Sequence, residues 1–138
     1  MEFSLVLIPF LFLVMGVIDL GRGIYTNNAV AEASREIARV TSVHPCVGNM
    51  PCVIGSTPET LAVIGTQRSL VPGLAAPVIE CVDMSDTLLA AADCRPDPNN
   101  PGGIFVRVTV QAPFQVITPL LSSIGPSTFS STSHVQLP

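Results

Sequence analysis

Residues 3–18 read FSLVLIPFLFLVMGVI, an uncharged run bounded by Glu2 and Asp19. As a helix this stretch is about 24 Å long, set against a hydrocarbon core of about 30 Å, and so forms a marginal membrane span. A secretory signal peptide carries a basic region ahead of its apolar run, whereas the upstream charge here is Glu2. The segment therefore reads as a retained helix rather than a cleaved export signal. A plain bitopic anchor fits the same residues if Leu20, Ile24 and Tyr25 lengthen the span while Asp19 and Arg22 pair at i,i+3 or snorkel. The helical pattern then continues through residues 23–43, GIYTNNAVAEASREIARVTSV, with Ile24, Val30, Ala33, Ile37 and Val40 near one face. One helix of about 60 Å over residues 1–43 is predicted. Glu32 with Arg35, and Glu36 with Arg39, are spaced for i,i+3 contacts on its solvated side. Pro9, Gly16, Gly21 and Gly23 predict a kink or a locally extended stretch.

Working outward, the whole chain has 138 residues, of which 48% are hydrophobic and only 12% charged. Soluble domains carry about a quarter charged residues, so an ordinary soluble enzyme is an awkward reading. The net charge is -4, with no basic stripe of the kind that holds phosphate backbones, which argues against a nucleic-acid partner. The basic residues are all arginine. Lysine isopeptides, Schiff bases and P-loop contacts are thereby excluded. Thirteen prolines and ten glycines predict many turns beyond the N-terminal helix.

Residues 44–138 read as a separate head of short elements. Ser56-Thr57-Pro58-Glu59 has capping-box spacing and predicts a helix to about Leu70, ended by Val71-Pro72-Gly73. Residues 77–84 read as a strand, and Ser85-Asp86 as the start of a short helix. Ile104, Val106, Val108 and Val110 alternate with Phe105, Arg107, Thr109 and Gln111, the strongest period-two signal in the chain. Residues 128–137 alternate Phe129, Ser131, Ser133, Val135 and Leu137 with polar neighbours and predict a final strand. The expected sheet is small and antiparallel. Cys46, Cys52, Cys81 and Cys94 form an even set in a short, export-like chain. Nearest-neighbour pairing across turn-rich loops favours Cys46 with Cys52 and Cys81 with Cys94. Zinc would use His44 with the cysteines, but C-x-x-C is absent and the spacings do not match. Asp97 and Asn99 lack the order of a calcium loop and read as a turn.

No nucleophile elbow, zinc-protease, Walker or dinucleotide motif is present, and no cysteine or serine nucleophile motif surrounds His44 or His134. An enzyme is not expected, nor is a cofactor. Glu2 stands apart, because a carboxylate there suits the helix dipole yet would enter any apolar bundle that the segment forms. It reads either as an interfacial cap or as a buried acid paired with the terminal amine of a neighbouring copy, which would set register.

Glu2 to Pro9, the leucine and phenylalanine run, Gly16-Val17-Ile18-Asp19-Leu20-Gly21-Arg22 and the Ala29 to Ala38 helix resemble the TadE-like family of the tight-adherence branch of type IV pili. Val106 to Phe114, Thr118-Pro119-Leu120-Leu121 and the closing serine and threonine-rich strand are similar to the C-terminal pattern of that family. The resemblance implies an α+β, pilin-like fold, with a long N-terminal helix and a disulfide-stapled antiparallel head. It implies a structural subunit of an extracellular pilus filament, held transiently in the cytoplasmic membrane and assembled as a helical homo-oligomer. Prepilin peptidase and the pilus assembly machinery are the implied partners. The peptidase usually cuts after a glycine a few residues before Glu-Phe, whereas here Glu2 lies nearer the start than in typical type IV pilins. Met1, Glu2, Phe3, Pro9, Leu13 and Gly16 are the expected assembly residues. The alternatives are a minor pilin that primes or caps a pilus, and an anchored surface-binding module.

Overall fold

A computed structural model describes residues 2–45, 53–90, 94, 103–118, 125 and 127–138. Helix α1 covers Glu2–Val43 and stays helical through Pro9 and the three glycines that follow. The expected extended stretch does not occur. Pro9 removes a hydrogen bond, but its neighbours are apolar side chains that offer the backbone no competing partner. Helix α2 covers Pro58–Leu70. Its N-cap is Thr57 rather than Ser56: the Thr57 hydroxyl accepts from the Thr60 N–H at 3.4 Å, and Pro58 takes the first turn. Ser56 instead donates to the Val53 carbonyl at 2.7 Å.

Strands β1 (Val78–Val82), β2 (Phe105–Phe114) and β3 (Ser127–Gln136) make an antiparallel sheet in the order β1-β2-β3. The architecture is α+β, as expected. β1 ends sooner than residue 84 because Asp83 turns the chain. Its carboxylate accepts from the N–H groups of Ser85 at 2.8 Å and Thr87 at 2.9 Å. Asp86 sits at φ 61°, a left-handed conformation that a helix excludes, so the short helix expected at Ser85-Asp86 is a tight loop instead. That loop brings Leu88 back to bridge Val82, and the Leu89 N–H donates to the Cys81 carbonyl at 2.9 Å. The outer edge of β1 is thereby covered at its C-terminal end.

β2 continues to Phe114, past the Gln111 where the expected alternation ends, and tolerates Pro113 within it. The Gln111 carbonyl accepts from the Ala75 N–H at 2.8 Å, so it points away from β3. Pro113, two residues on, aims its missing donor the same way, beyond the last β1 pair at Val78 and Thr109. Gly55 is needed for a different reason. It adopts φ 81°, and a Cβ there would lie 2.6 Å from the Ile79 side chain.

The core forms where the C-terminal half of α1 crosses the sheet. Val30, Ala33, Ile37 and Ala38 pack against Val106, Val108, Val110 and Ala112, with Val71, Leu74 and Leu137 closing the rim. Ile24 is exposed rather than part of this face. It lies six residues before Val30, a spacing that carries it well around the helix, whereas Ala33, Ser34, Ile37 and Ala38 recur at the helical period. Ser34 bridges α1 to the sheet through the Ser131 hydroxyl at 3.1 Å, and the Thr41 hydroxyl donates to the Ile37 carbonyl at 2.7 Å. On the opposite face of the sheet, Glu80, Arg107 and His134 stand in one cross-strand row. Arg107 donates to Glu80 at 2.8 Å and to Asp86 at 3.1 Å.

A disulfide joins Cys81 on β1 to Cys94, with a Cα separation of 5.8 Å. Bonded to each other, these two have no thiolate to offer zinc. Cys46, Cys52, Asp97 and Asn99, with the second pairing and the turn expected of them, lie outside the described residues.

Candidate assembly helix and its junction with the head

The N-terminal half of α1 carries the largest side chains of the helix and the least cover. Phe3 is 78% exposed and Leu13 is 64% exposed, and Pro9 is exposed as well. Gly16 is half-buried, with open space where a side chain would stand. By length and composition α1 can cross a membrane, and little of its apolar segment is covered by the rest of the chain. Leu, Ile, Val and Phe occupy every side of residues 3–18, so the segment has no polar face to turn outward. Met1 and the side chain of Glu2 lie outside the described residues.

Asp19 stands just beyond this segment and is only 4% exposed. A carboxylate in that position needs partners, and the residues that follow β2 supply them. The N–H of Ile117 donates to both carboxylate oxygens, at 3.1 and 3.0 Å. Thr118 adds its N–H at 2.8 Å and its hydroxyl at 2.6 Å. Arg22 approaches from one turn along α1 at 3.4 Å, the i,i+3 pair expected from the sequence. The Thr118 hydroxyl, followed by the Thr118 N–H, holds the Asp19 carboxyl below its ordinary value. Burial opposes that shift; the Ile117 N–H and Arg22 reinforce it.

Three contacts deliver the 115–118 strap to this spot. The Phe114 ring lies 3.5 Å from where a Cβ on Gly23 would be, so the glycine lets the end of β2 close on the helix. Phe114 also packs on Phe129 of β3, with ring centroids 5.3 Å apart, and holds the Arg22 guanidinium 5.8 Å from its centroid. The sequence reading found Arg22 as the partner of Asp19 but missed Thr118. The available signal was a single acid in an otherwise apolar stretch, because such a group demands more than one exposed cation.

The remaining polar candidates scatter. His44 and His134 are exposed on different elements. Glu32 and Arg35 pair at 3.9 Å on the solvated side of α1. Among the described residues, no three histidine, cysteine or acidic side chains converge to hold a metal ion. The arrangement is one of packing and anchorage: an uncovered apolar helix, a buried acid at its water-facing end, and a head fastened to both.

No curated protein and no solved structure matches the chain. A family model does, that of the TadE-like proteins, over residues 1–39. The match takes in the exposed apolar segment, Asp19, Arg22 and the buried face as far as Ala38. Over residues 1–39, the N-terminal helix is thus similar to that of TadE-like proteins.

Proposed function

We propose that the chain is a structural subunit of an extracellular pilus filament of the tight-adherence type. Residues 3–18 lie in the cytoplasmic membrane before assembly and bury against other copies afterwards. The observation that carries this reading is the uncovered apolar half of α1, which needs a second solvent besides water. A span of about 24 Å is short for the bilayer, which eases its departure into a polymer. Residues 44–138 then form the head on the filament surface, with Cys46 and Cys52 as a second staple. A prepilin peptidase and the pilus assembly machinery act on the chain before it polymerises. In the filament Glu2 pairs with the terminal amine of a neighbouring copy and penalises wrong registers.

Shearing cells, weighing the released filaments and identifying their main chain by mass tests the subunit role. Leu13→Asp is expected to abolish filaments while the head still folds, as judged by an intact Cys81–Cys94 bridge and normal head unfolding. Normal amounts of filament from that variant would overturn the proposed packing. Wild-type filaments built mainly of another protein would assign this chain to priming or capping instead. A filament map with Glu2 in solvent would remove the register pairing and leave the subunit role standing.

A further inference from the structure

At the junction Asp19 engages only part of the Arg22 guanidinium. Two backbone N–H groups and a hydroxyl already meet that carboxylate, and Arg22 adds one contact of 3.4 Å while keeping 46% of its side chain exposed. Stacking over Phe114 orients the guanidinium without using its N–H donors. Arg22 is also the sole charge in residues 20–31, and the 113–118 stretch carries none, so no second acid competes for it from the strap. Beside it opens a cleft of about 500 Å³ between α1 and the end of β2, lined by Tyr25, Thr26, Pro72 and Gln115 among others. Tyr25 is exposed, and so is Ile117 at the tip of the strap. These groups lie within two turns of Ile18, where a helix whose apolar residues fill the bilayer emerges at headgroup level.

We propose that Arg22, Tyr25 and Ile117 form a binding site for an anionic phospholipid at the membrane surface. Arg22 takes the lipid phosphate, the Tyr25 ring lies at headgroup depth with its hydroxyl toward water, and Ile117 enters the acyl boundary beside Ile18 and Leu20. Charge complementarity and continuity with the apolar segment select this occupant. The chain has a net charge of -4, and at this edge of the apolar segment Arg22 is the cation that, after its one contact with the buried Asp19, keeps N–H donors and nearly half of its side chain open to a phosphate. The inference rests on the reading that residues 3–18 lie in the bilayer before assembly.

The test places the full chain in phosphatidylcholine nanodiscs doped with phosphatidylglycerol and measures retained lipid by native mass spectrometry. Preferential retention of phosphatidylglycerol is expected, falling about fivefold in Arg22→Gln. Arg22→Lys should keep most of the preference, because a point charge still meets a phosphate. Arg35→Gln, on the solvated side of α1, should leave it unchanged, and excess inorganic phosphate should not compete. Equal retention of both lipids, undiminished preference in Arg22→Gln, loss in Arg35→Gln, or displacement by inorganic phosphate would overturn the site. A chain that fails to enter the nanodisc overturns the membrane reading as well, which separates the two failures.

Discussion

Residues 3–18 and residues 29–42 belong to the same helix, yet the more apolar of the two stretches is the one that the head leaves uncovered. The buried stretch is built from Ala33, Ser34, Ile37, Ala38 and Thr41, mostly small side chains that let the helix axis approach the sheet. Its hydroxyls are met by Ser131 or by carbonyls of the helix itself. The exposed stretch has bulky side chains all round and no single face that a three-stranded sheet could cover. The contrast teaches that burial within this head follows shape and polar satisfaction, while raw apolarity marks the surface that the head leaves uncovered.

The sharpest way to break that contrast is a pair of truncations. Ile37→Ala removes a fully buried side chain and is expected to destabilise the head by about 2 to 5 kcal/mol. Leu13→Ala, at an exposed position of the same helix, is expected to change head stability by less than about 0.5 kcal/mol. Chemical denaturation in detergent, followed by a probe in the sheet, compares them. Similar losses would erase the distinction between the two halves.

A smaller effect is expected from the staple within the head. Removing both Cys81 and Cys94 by alanine substitution should cost about 2 to 4 kcal/mol, chiefly by freeing the unfolded chain. Its effect should fall on the head and leave membrane insertion of residues 3–18 unaltered. A double variant that melts like the wild type would show that the sheet and α1 suffice on their own.

The smallest and most local effect concerns the boundary between the halves. The Asp19 carboxyl is held below its ordinary value of 3.8, so its contribution is fully present above that value and is lost as pH falls through the lower folded one. The Tm of Asp19→Asn should therefore lie below that of the wild type near neutrality, and the two should converge in acid. A gap that stays constant through the titration would mean that the carboxylate charge plays no part in fastening the strap.

Much of this architecture was legible in local periodicity. The run from Phe3 to Ile18, the recurrence of Ala33, Ile37 and Val40, and the alternation of Val106, Val108 and Val110 each repeat at the period of the element they form. The loop after β1 was not legible in that way. Ser85-Asp86 reads as a helix start, and only the capture of two N–H groups by Asp83, with Leu88 returning to β1, makes it a turn. Ser56 and Thr57 both offered a helix cap, and the choice fell to Thr57, whose hydroxyl also donates to Thr60 at 2.9 Å in a buried position.

The sequence by itself determined the long helix, its apolar start, the antiparallel strands and the pairing of Cys81 with Cys94, because each depends on side chains close together along the chain. Tertiary structure alone decided which half of the helix the head covers and what becomes of Asp19. Its chief partner, Thr118, lies 99 positions away, and no spacing rule connects them. They meet because β2 crosses α1 and Phe114 closes on Gly23, which brings the N–H groups of the strap to a carboxylate that would otherwise have only Arg22 at the edge of the apolar segment.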